Sequence, residues 1–257
     1  MDRIIYTAMN GAARITEHQA ALSNNMANVN TPGFREQIAL YRSVPVNDGV
    51  SLPTRVSTVA STPRNNFEMG NMQTTGRDLD VALASSNGWI AVQTPQGEAY
   101  TRAGSLQVGV NGLLQTSLGQ PVMSDQNGII DVPDQASLTI TSDGTITAIG
   151  AGDAPNNILN LGRIKLVNPP EAQLVHGDDG VFRLAPVNGQ PAPPAPADPS
   201  LRVLSGVLEG SNTNPMAAMV GMIENARRFE QQMQVVQQAD RNAERANGIL
   251  SVSLSLI

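Results

Sequence analysis

The two ends of the chain share one pattern, in which apolar residues recur at alternating steps of three and four. The N-terminal seam consists of Ile5, Ala8, Ala12, Ile15, Gln19, Leu22, Met26 and Val29. The C-terminal seam consists of Met219, Met222, Ala226, Phe229, Met233, Val236, Asp240, Ala243, Asn247, Leu250, Leu254 and Ile257. This spacing is typical of coiled-coil helices. Because two helices of one period can pair with each other and with further copies, the pattern indicates assembly rather than catalysis.

Composition excludes several functional classes. The chain has 257 residues, of which 40% are hydrophobic, and this is enough for a packed core. The formal net charge is −6 and Lys165 is the single lysine, so a phosphate-binding surface for nucleic acid is not expected. The sequence contains no cysteine, which rules out disulfides and thiolate metal sites.

The opening residues do not resemble a cleaved secretory signal. Residues 1–7 lack an apolar core of about 7–15 residues followed by a small-residue cleavage site. No stretch reaches the roughly 18 apolar residues of a membrane span. We therefore expect a soluble chain without direct membrane insertion, whose export would use an uncleaved signal.

Four regions follow from local patterns, and together they predict an α+β fold with the terminal helices forming a coiled-coil-like layer around a central all-β module. Alanine-rich residues 1–33 predict a helix over about 1–30, which Thr31-Pro32-Gly33 stops. Residues 34–75 look like an extended connector. Residues 76–205 predict a β-rich module with an exposed Pro/Ala-rich loop at 186–199. Residues 206–257 contain the last helix, which starts near Asn214-Pro215.

The predicted strands are short and separated by turn residues. The strand Trp89–Thr94 returns through Pro95-Gln96-Gly97. Two strands flank Ser142-Asp143-Gly144, which is a strong hairpin signal. Further strands are predicted at 105–108, 113–116, 163–167 and 181–184. Short strands at this density favour an all-β module.

No residue pattern indicates a catalytic, cofactor or metal site. His18 lies outside the N-terminal seam and is expected to be a solvated helix residue, and His176 has no second histidine near it in sequence. Asp78 and Asp80 would share one face of a strand, but Arg77 is a simpler explanation as their local counter-ion. We therefore expect no enzyme activity and no cofactor.

Three motifs along the chain resemble those of flagellar basal-body rod and hook proteins. The first is residues 22–34, Leu-Ser-Asn-Asn-Met-Ala-Asn-Val-Asn-Thr-Pro-Gly-Phe. The second is spread through the module in Asp80–Leu83, Gly88-Trp89, Tyr100–Gly104 and Asn111–Leu114. The third is Leu208–Pro215 with Met222-Ile223 and Ala226–Glu230. Within this family, residues 1–9 and 41–46 are most similar to proteins of the proximal rod. Ser85–Asn87 and Trp89-Ile90 depart from the usual pattern.

The resemblance implies a structural subunit of the axial rod, which lies in the periplasmic part of the flagellar basal body. Implied partners are the distal rod protein, other proximal rod proteins and the flagellar type III export apparatus. The implied assembly interface consists of Ile5, Ala8, Ala12, Ile15, Leu22, Asn25, Met26, Asn28, Val29, Phe34, Met219, Met222, Ala226, Phe229, Met233, Val236 and Leu250. Because the seams hold many alanines and several polar residues, we expect the termini to become ordered on assembly.

Two alternatives remain at this stage. The nearer one is the distal rod protein or another rod or hook paralogue. The other is a secreted oligomeric β module that binds carbohydrate or peptide, although sugar stacking would require surface aromatics and only 3% of this chain is aromatic.

Overall fold

The computed structural model describes residues 2–45, 56–60, 64–133, 135–150, 157–187 and 189–254, and the chain divides into two compact units. Unit 1 comprises Met1–Ala27, Gln37–Asn65 and Asn214–Ile257. It contains helices α1 (Asp2–Ala27) and α2 (Pro215–Leu254) with strands β1 (Gln37–Ile38), β2 (Tyr41–Pro45), β3 (Val56–Ala60) and β4 (Arg64–Asn65). The strands pair antiparallel as β1–β4 and β2–β3. The α+β class is confirmed.

Helix α1 ends earlier than the predicted boundary near residue 30. It stops at Ala27, and the next residues form a hydrogen-bonded turn. Thr31 donates twice to Asn28, from its N–H to the carbonyl oxygen at 3.1 Å and from its hydroxyl to the side-chain oxygen at 3.1 Å. Asn28 and Val29 therefore lie outside the helix, because side-chain and backbone bonds of the turn replace helical ones.

Helix α2 begins as the sequence predicts. Asn214 caps it, since its side-chain oxygen accepts from the N–H groups of Met216 at 3.0 Å and Ala217 at 3.2 Å. Pro215 occupies the first helical position, where no backbone donor is needed. The 40 residues of α2 make it the longest element described.

The segment 34–75 is more regular than the connector that we predicted. It contains β1 to β4 and also β5 (Met72–Thr74). The β2–β3 pair matches five residues on each strand, from Tyr41 opposite Ala60 to Pro45 opposite Val56. The scattered prolines suggested an irregular chain, but Pro45 is accommodated at the end of a strand.

Unit 2 comprises Asn28–Glu36 and Asn66–Thr213. Its strands after β5 are β6 (Val81–Leu83), β7 (Trp89–Thr94), β8 (Gly97–Thr101), β9 (Leu106–Val108), β10 (Leu114–Thr116), β11 (Ser137–Ile140), β12 (Thr145–Ile149), β13 (Leu159–Arg163), β14 (Leu166–Val167), β15 (Leu174–His176), β16 (Phe182–Leu184), β17 (Val203–Ser205) and β18 (Val207–Glu209). One 3₁₀ turn, Glu171–Gln173, precedes β15.

The largest sheet of unit 2 has the order β14-β7-β8-β16-β15, and a second has the order β11-β12-β13. Two pairs join distant segments: β17 pairs with β6 and β18 pairs with β5. The central strand β7 serves two cores, because its alternate side chains point to opposite sides. Ile90 and Val92 enter an aliphatic core, whereas Trp89 and Ala91 enter a smaller core with Tyr100.

Two details of the predicted module differ from the structure. The strand expected over 163–167 is divided in two. β13 and β14 belong to different sheets, and Ile164 between them forms an isolated bridge to Ser124. The 186–199 loop is not wholly exposed. Ala195 is buried, and its N–H donates to the Tyr100 hydroxyl at 2.8 Å.

The β11–β12 hairpin turns at Asp143-Gly144, as predicted, and Gly144 has a φ of 86°. The Asp143 carboxylate accepts from the N–H of Thr145 at 3.2 Å and from its hydroxyl at 2.9 Å. The Thr141 hydroxyl donates to the same carboxylate. These bonds, those from Thr141 first, lower the pKa of Asp143 from 3.8 to about 2.

We predict that Asp143 makes the hairpin sensitive to acid. A carboxyl with a depressed pKa in the folded state stabilises the protein above its ordinary pKa of 3.8, and this contribution is lost as the pH falls toward about 2. Urea unfolding of the native protein and of Asp143→Asn at several pH values measures it. The difference in unfolding free energy should shrink between pH 4 and pH 2; a difference independent of pH would contradict the assignment.

Candidate assembly interface and the Glu209 cluster

Three contacts define how α1 and α2 pair within unit 1. A Cβ placed on Gly221 would lie 3.0 Å from a Leu22 methyl carbon, and one on Gly11 would lie 3.3 Å from the Gln232 side-chain carbon. Between them, His18 Nδ1 lies 3.0 Å from Asn225 Oδ1. Each step backward along α1, of four and then seven residues, matches an equal step forward along α2. The helices therefore pair antiparallel in one constant register.

The N-terminal seam lies on the less exposed side of α1. Ala8 is buried, and the other seam residues on the helix are half-buried, namely Ile5, Ala12, Ile15, Gln19, Leu22 and Met26. The glycine contacts allow close approach of the helices, since neither Gly11 nor Gly221 carries a side chain.

The C-terminal seam agrees with α2 at alternate positions only. Met222, Val236 and Ala243 are half-buried as predicted. At the intervening steps the less exposed residues are Ala218, Asn225, Gln232, Ala239 and Ala246, each one position before the residue that we predicted. Asp240 and Asn247 are exposed, so they do not interrupt this packing face. Leu250 lies on α2, but the side chains of Leu250, Leu254 and Ile257 are outside the described part of the structure.

The apolar seam residues that lie off the packing face, Met219, Ala226 and Met233, belong to a second apolar surface of α2. We call this surface the outer α2 face. It consists of the exposed residues Met216, Met219, Val220, Ile223, Ala226 and Met233. Met219 is 48% exposed and Ile223 is 56% exposed. At 100° per residue, Met216, Val220 and Ile223 point away from Ala218 and Asn225. Phe229 lies on the same side as Met222 and Val236 but is 40% exposed. The first turns of α2 are thus apolar on both sides, which is typical of a helix buried in an assembly.

His18 is not the solvated residue that we predicted. It is half-buried between two elements, with its Nδ1 against Asn225 on α2 and its ring edge-to-face with Tyr41 on β2 at 6.2 Å. The Tyr41 hydroxyl donates to the Arg14 carbonyl oxygen at 3.0 Å, and burial, more than the nearby Glu17, raises the pKa of Tyr41. A single sequence offered no sign of this, because a lone histidine on a helix shows no partner.

Asn25 acts within the chain. Its amide N–H donates to the Gln37 carbonyl oxygen at 2.9 Å, and its Oδ1 accepts from the Gln37 N–H at 2.9 Å. These two bonds satisfy the Gln37 backbone as a neighbouring β-strand would, and they connect the end of α1 to β1. Because Asn25 is 1% exposed, its amide explains one of the clustered asparagines that a helix stop alone does not require.

Residues 31–36 of unit 2 are held by tight backbone contacts. Gly33 has a φ of 70°, and its N–H donates to the Glu209 carbonyl oxygen at 2.8 Å. A Cβ at this position would lie 2.3 Å from the Arg102 carbonyl carbon, so only glycine fits. Phe34 accepts at its carbonyl oxygen from the Asn212 N–H at 3.3 Å, and Glu36 donates its N–H to Asn212 Oδ1 at 2.7 Å.

Glu209 lies at the centre of a buried ion-pair cluster. Its Oε1 lies 2.6 Å from an Arg35 guanidinium nitrogen and accepts from the Gly70 N–H at 3.0 Å. Its Oε2 accepts from Arg102 Nε at 2.7 Å. The side chains of all three charged residues are at most 1% exposed. We call Arg35, Arg102 and Glu209 the Glu209 cluster.

Arg102 also organises the loop before β7. Its guanidinium donates to the carbonyl oxygens of Ser86 at 2.7 Å, Gly88 at 2.6 Å and Ser85 at 3.0 Å. It lies 5.9 Å from the Trp89 ring centroid. Burial is the main cause that lowers the pKa of Arg102, and Glu209 counteracts it. One arginine therefore contacts Ser85, Ser86 and Trp89, which are among the residues that depart from the family pattern.

The residues considered for chemistry do not converge on a reaction site. Arg77 pairs with Asp80, which is buried and accepts from the Thr75 hydroxyl at 2.7 Å, whereas Asp78 is exposed. His176 packs edge-on against Phe182, and burial lowers the pKa of His176. Within the described residues, no three histidine or acidic side chains gather as metal ligands would, and no helix is long and apolar enough to cross a membrane.

Comparison with known proteins gives three family matches. Residues 5–35 match "Flagella basal body rod protein", residues 85–148 match "Flagellar hook protein FlgE/F/G D1 domain", and residues 204–249 match "Flagellar basal body rod FlgEFG protein C-terminal". The chain is 51% identical to the flagellar basal-body rod protein FlgF of Escherichia coli, over 98% of this chain and 100% of that protein. The chain belongs to the flagellar basal-body rod protein family. Its identity to FlgF of Salmonella typhimurium is 48%, again over 98% of this chain and 100% of the relative.

The rod family also includes FlgG, to which this chain is less similar than to these two FlgF proteins. FlgG of Agrobacterium fabrum is 32% identical over 86% of this chain and 89% of that protein. The expected similarity to FlgF is thus confirmed. The alternatives of a rod paralogue and of a secreted carbohydrate-binding module are not favoured.

Each matched segment of the rod family contributes one member of the Glu209 cluster. Arg35 closes the first segment, Arg102 lies in the second and Glu209 lies in the third. Sequence reasoning found the motifs that contain Arg102 and Glu209 but assigned neither a role. Arg35 follows directly on the Thr-Pro-Gly-Phe motif, and this position was the one available signal.

We predict that Glu209→Gln destabilises unit 2 by about 3–5 kcal/mol, because it leaves two buried guanidinium groups without their shared counter-ion. Chemical unfolding followed by the fluorescence of Trp89 measures the effect. Glu171→Gln is the matched control, since Glu171 is an exposed glutamate of unit 2 and such surface substitutions change stability by no more than about 0.5 kcal/mol. Equal effects of the two substitutions would refute a structural role for the cluster.

Proposed function

We propose that this chain is a structural subunit of the proximal part of the flagellar rod and that its outer α2 face packs against helices of neighbouring rod subunits. Family membership supports the structural role and its place in the basal body. The observation that carries the proposed interface is the two-sided apolar character of α2. One side packs on α1, and the other leaves Met219 and Ile223 exposed.

The proposed neighbours are the distal rod protein and other proximal rod proteins, along with further copies of this chain. Such partners would each offer an apolar helix face, because the terminal family segments contain the helices. The exposed residues of the predicted interface on α2 are Met219, Ala226, Phe229 and Met233. Ile5, Ala8, Ala12, Ile15, Leu22, Met26, Met222 and Val236 would support this face from within the helix pair.

We further propose that the chain reaches the periplasmic rod through the flagellar type III export apparatus, unfolded and without a cleaved signal peptide. The alanines and glycines between α1 and α2 support this route, because each buries little apolar area and so contributes little to holding the helices together. The terminal helices would gain their full stability only when neighbouring subunits cover the outer α2 face. Limited proteolysis should therefore trim the ends of the free monomer first.

We predict that Met219→Glu combined with Ile223→Glu abolishes motility without unfolding the subunit. Both side chains are exposed, so the unfolding free energy should change by no more than about 0.5 kcal/mol. Two carboxylates in an apolar contact between subunits would lack partners and prevent assembly. Swarming of a complemented deletion strain and electron microscopy of its basal bodies measure the outcome.

The matched control is Val235→Glu combined with Asn242→Asp, which adds the same charge at two exposed positions of α2 outside the outer face at 100° per residue. This control should swarm normally and build complete rods. Normal motility of the Met219/Ile223 variant, at native expression and export, would exclude the outer α2 face as an interface.

A further inference from the structure

We propose that His18 and Asn225 form a polar layer that fixes the register in which α1 packs on α2. This inference goes beyond the proposed function, because it concerns the single chain before assembly. The motivating observation is the hydrogen bond between two side chains, His18 Nδ1 and Asn225 Oδ1 at 3.0 Å, in an interface whose other residues are mostly apolar or small. Asn225 is 3% exposed.

The apolar layers on either side discriminate poorly between registers. Their α2 members include Ala218, Gly221, Ala239, Ala243 and Ala246, which are all small and similar in shape. Each of these residues buries little apolar area, so their contacts alone favour one register only weakly. A single buried polar residue is the best-attested means of specifying register in such helix pairs.

The polar groups penalise both one-heptad slips. In one direction His18 would face Ala218 and Asn225 would face Gly11, so two buried polar side chains would lose their partners. In the other direction His18 would face Gln232, but Asn225 would face Asn25, whose amide is already bonded on both sides to Gln37, so Asn225 would lose its partner.

The third side of the layer is closed by β2. The Tyr41 ring lies edge-on to the His18 ring at 6.2 Å, and its hydroxyl is tied to the Arg14 carbonyl oxygen at 3.0 Å. His18 is therefore held by an aromatic wall while it bonds to α2. The hydrogen bond to His18 explains why asparagine occupies position 225, where it would otherwise destabilise a helix whose packing face is built from alanine and glycine.

Gln19 follows His18 in the sequence and belongs to the N-terminal seam. It provides a contrast within the same interface. Its Oε1 is buried and has no hydrogen-bond partner among the described residues. A buried but unbonded amide lowers stability without favouring one register over another. Gln19→Leu is therefore the matched control for a substitution that removes polarity from the interface.

Pulsed electron–electron double resonance on the full chain tests the register directly, because it measures the distance between two spin labels. The protein has no cysteine, so spin labels can be attached to Ala20→Cys and Gln238→Cys, which are both exposed positions. A slip of one heptad moves the labels by about 10 Å along the helix axis. The unsubstituted pair should give one distance, and Gln19→Leu should keep that distance while raising the denaturant midpoint.

His18→Leu combined with Asn225→Leu should add a second distance that accounts for roughly a tenth of the molecules or more, with helicity retained by circular dichroism. His18→Asn can still form a hydrogen bond with Asn225, so it should keep the single distance. That result would show that the second distance in the double-leucine protein comes from loss of the polar layer and not from a change in helix formation. One unchanged distance in the double-leucine protein would overturn the proposal, because the connecting segments would then suffice to set the register. Loss of helicity only in the double-leucine protein would also overturn it.

Discussion

The buried carboxylate of Glu209 is the interaction on which unit 2 depends. Moving one carboxylate and two guanidinium groups out of water is costly, and the cost is offset only when each charge has well-placed partners. Here the carboxylate has both arginines and the Gly70 N–H, and Arg102 in addition bonds to three carbonyl oxygens. An apolar cluster of the same volume could fill this space, but it would not select which chain segments meet. The ion pairs join residues 35, 102 and 209, which local forces leave far apart.

Sequence predicted the local features of the module well, because these depend on neighbouring residues. Asp143-Gly144 requires a turn, and the alternation around it places Leu138 and Ile146 in the core. The Glu209 cluster could not be predicted from one sequence. Arg35 and Glu209 are 174 positions apart, and charged residues are usually exposed. Nothing in the local pattern distinguishes these charges from the surface pair of Glu224 and Arg228.

The offset in the C-terminal seam has a similar physical cause. Heptad reasoning chose the larger apolar residues, Met219 and Met233, as the packing face. The chain uses Ala218, Gly221 and Ala239 there, because close helix approach requires small side chains. The larger residues lie on the other side. A period alone cannot separate a face that packs within the chain from one that packs between chains, since both are apolar.

In the proposed assembly, the two faces of α2 let one helix serve both the single chain and the rod. A face of alanine and glycine buries little apolar area, so by itself it gives a weak and poorly discriminating contact, and the His18–Asn225 bond adds direction to it. The methionine-rich side has the larger area and flexible side chains that adapt to non-identical neighbours. A rod whose adjacent subunits differ in sequence requires such adaptable contacts outside and one defined helix arrangement inside. The C-terminal seam therefore spans two faces of α2, separated by about half a helical turn, and each face has its own function.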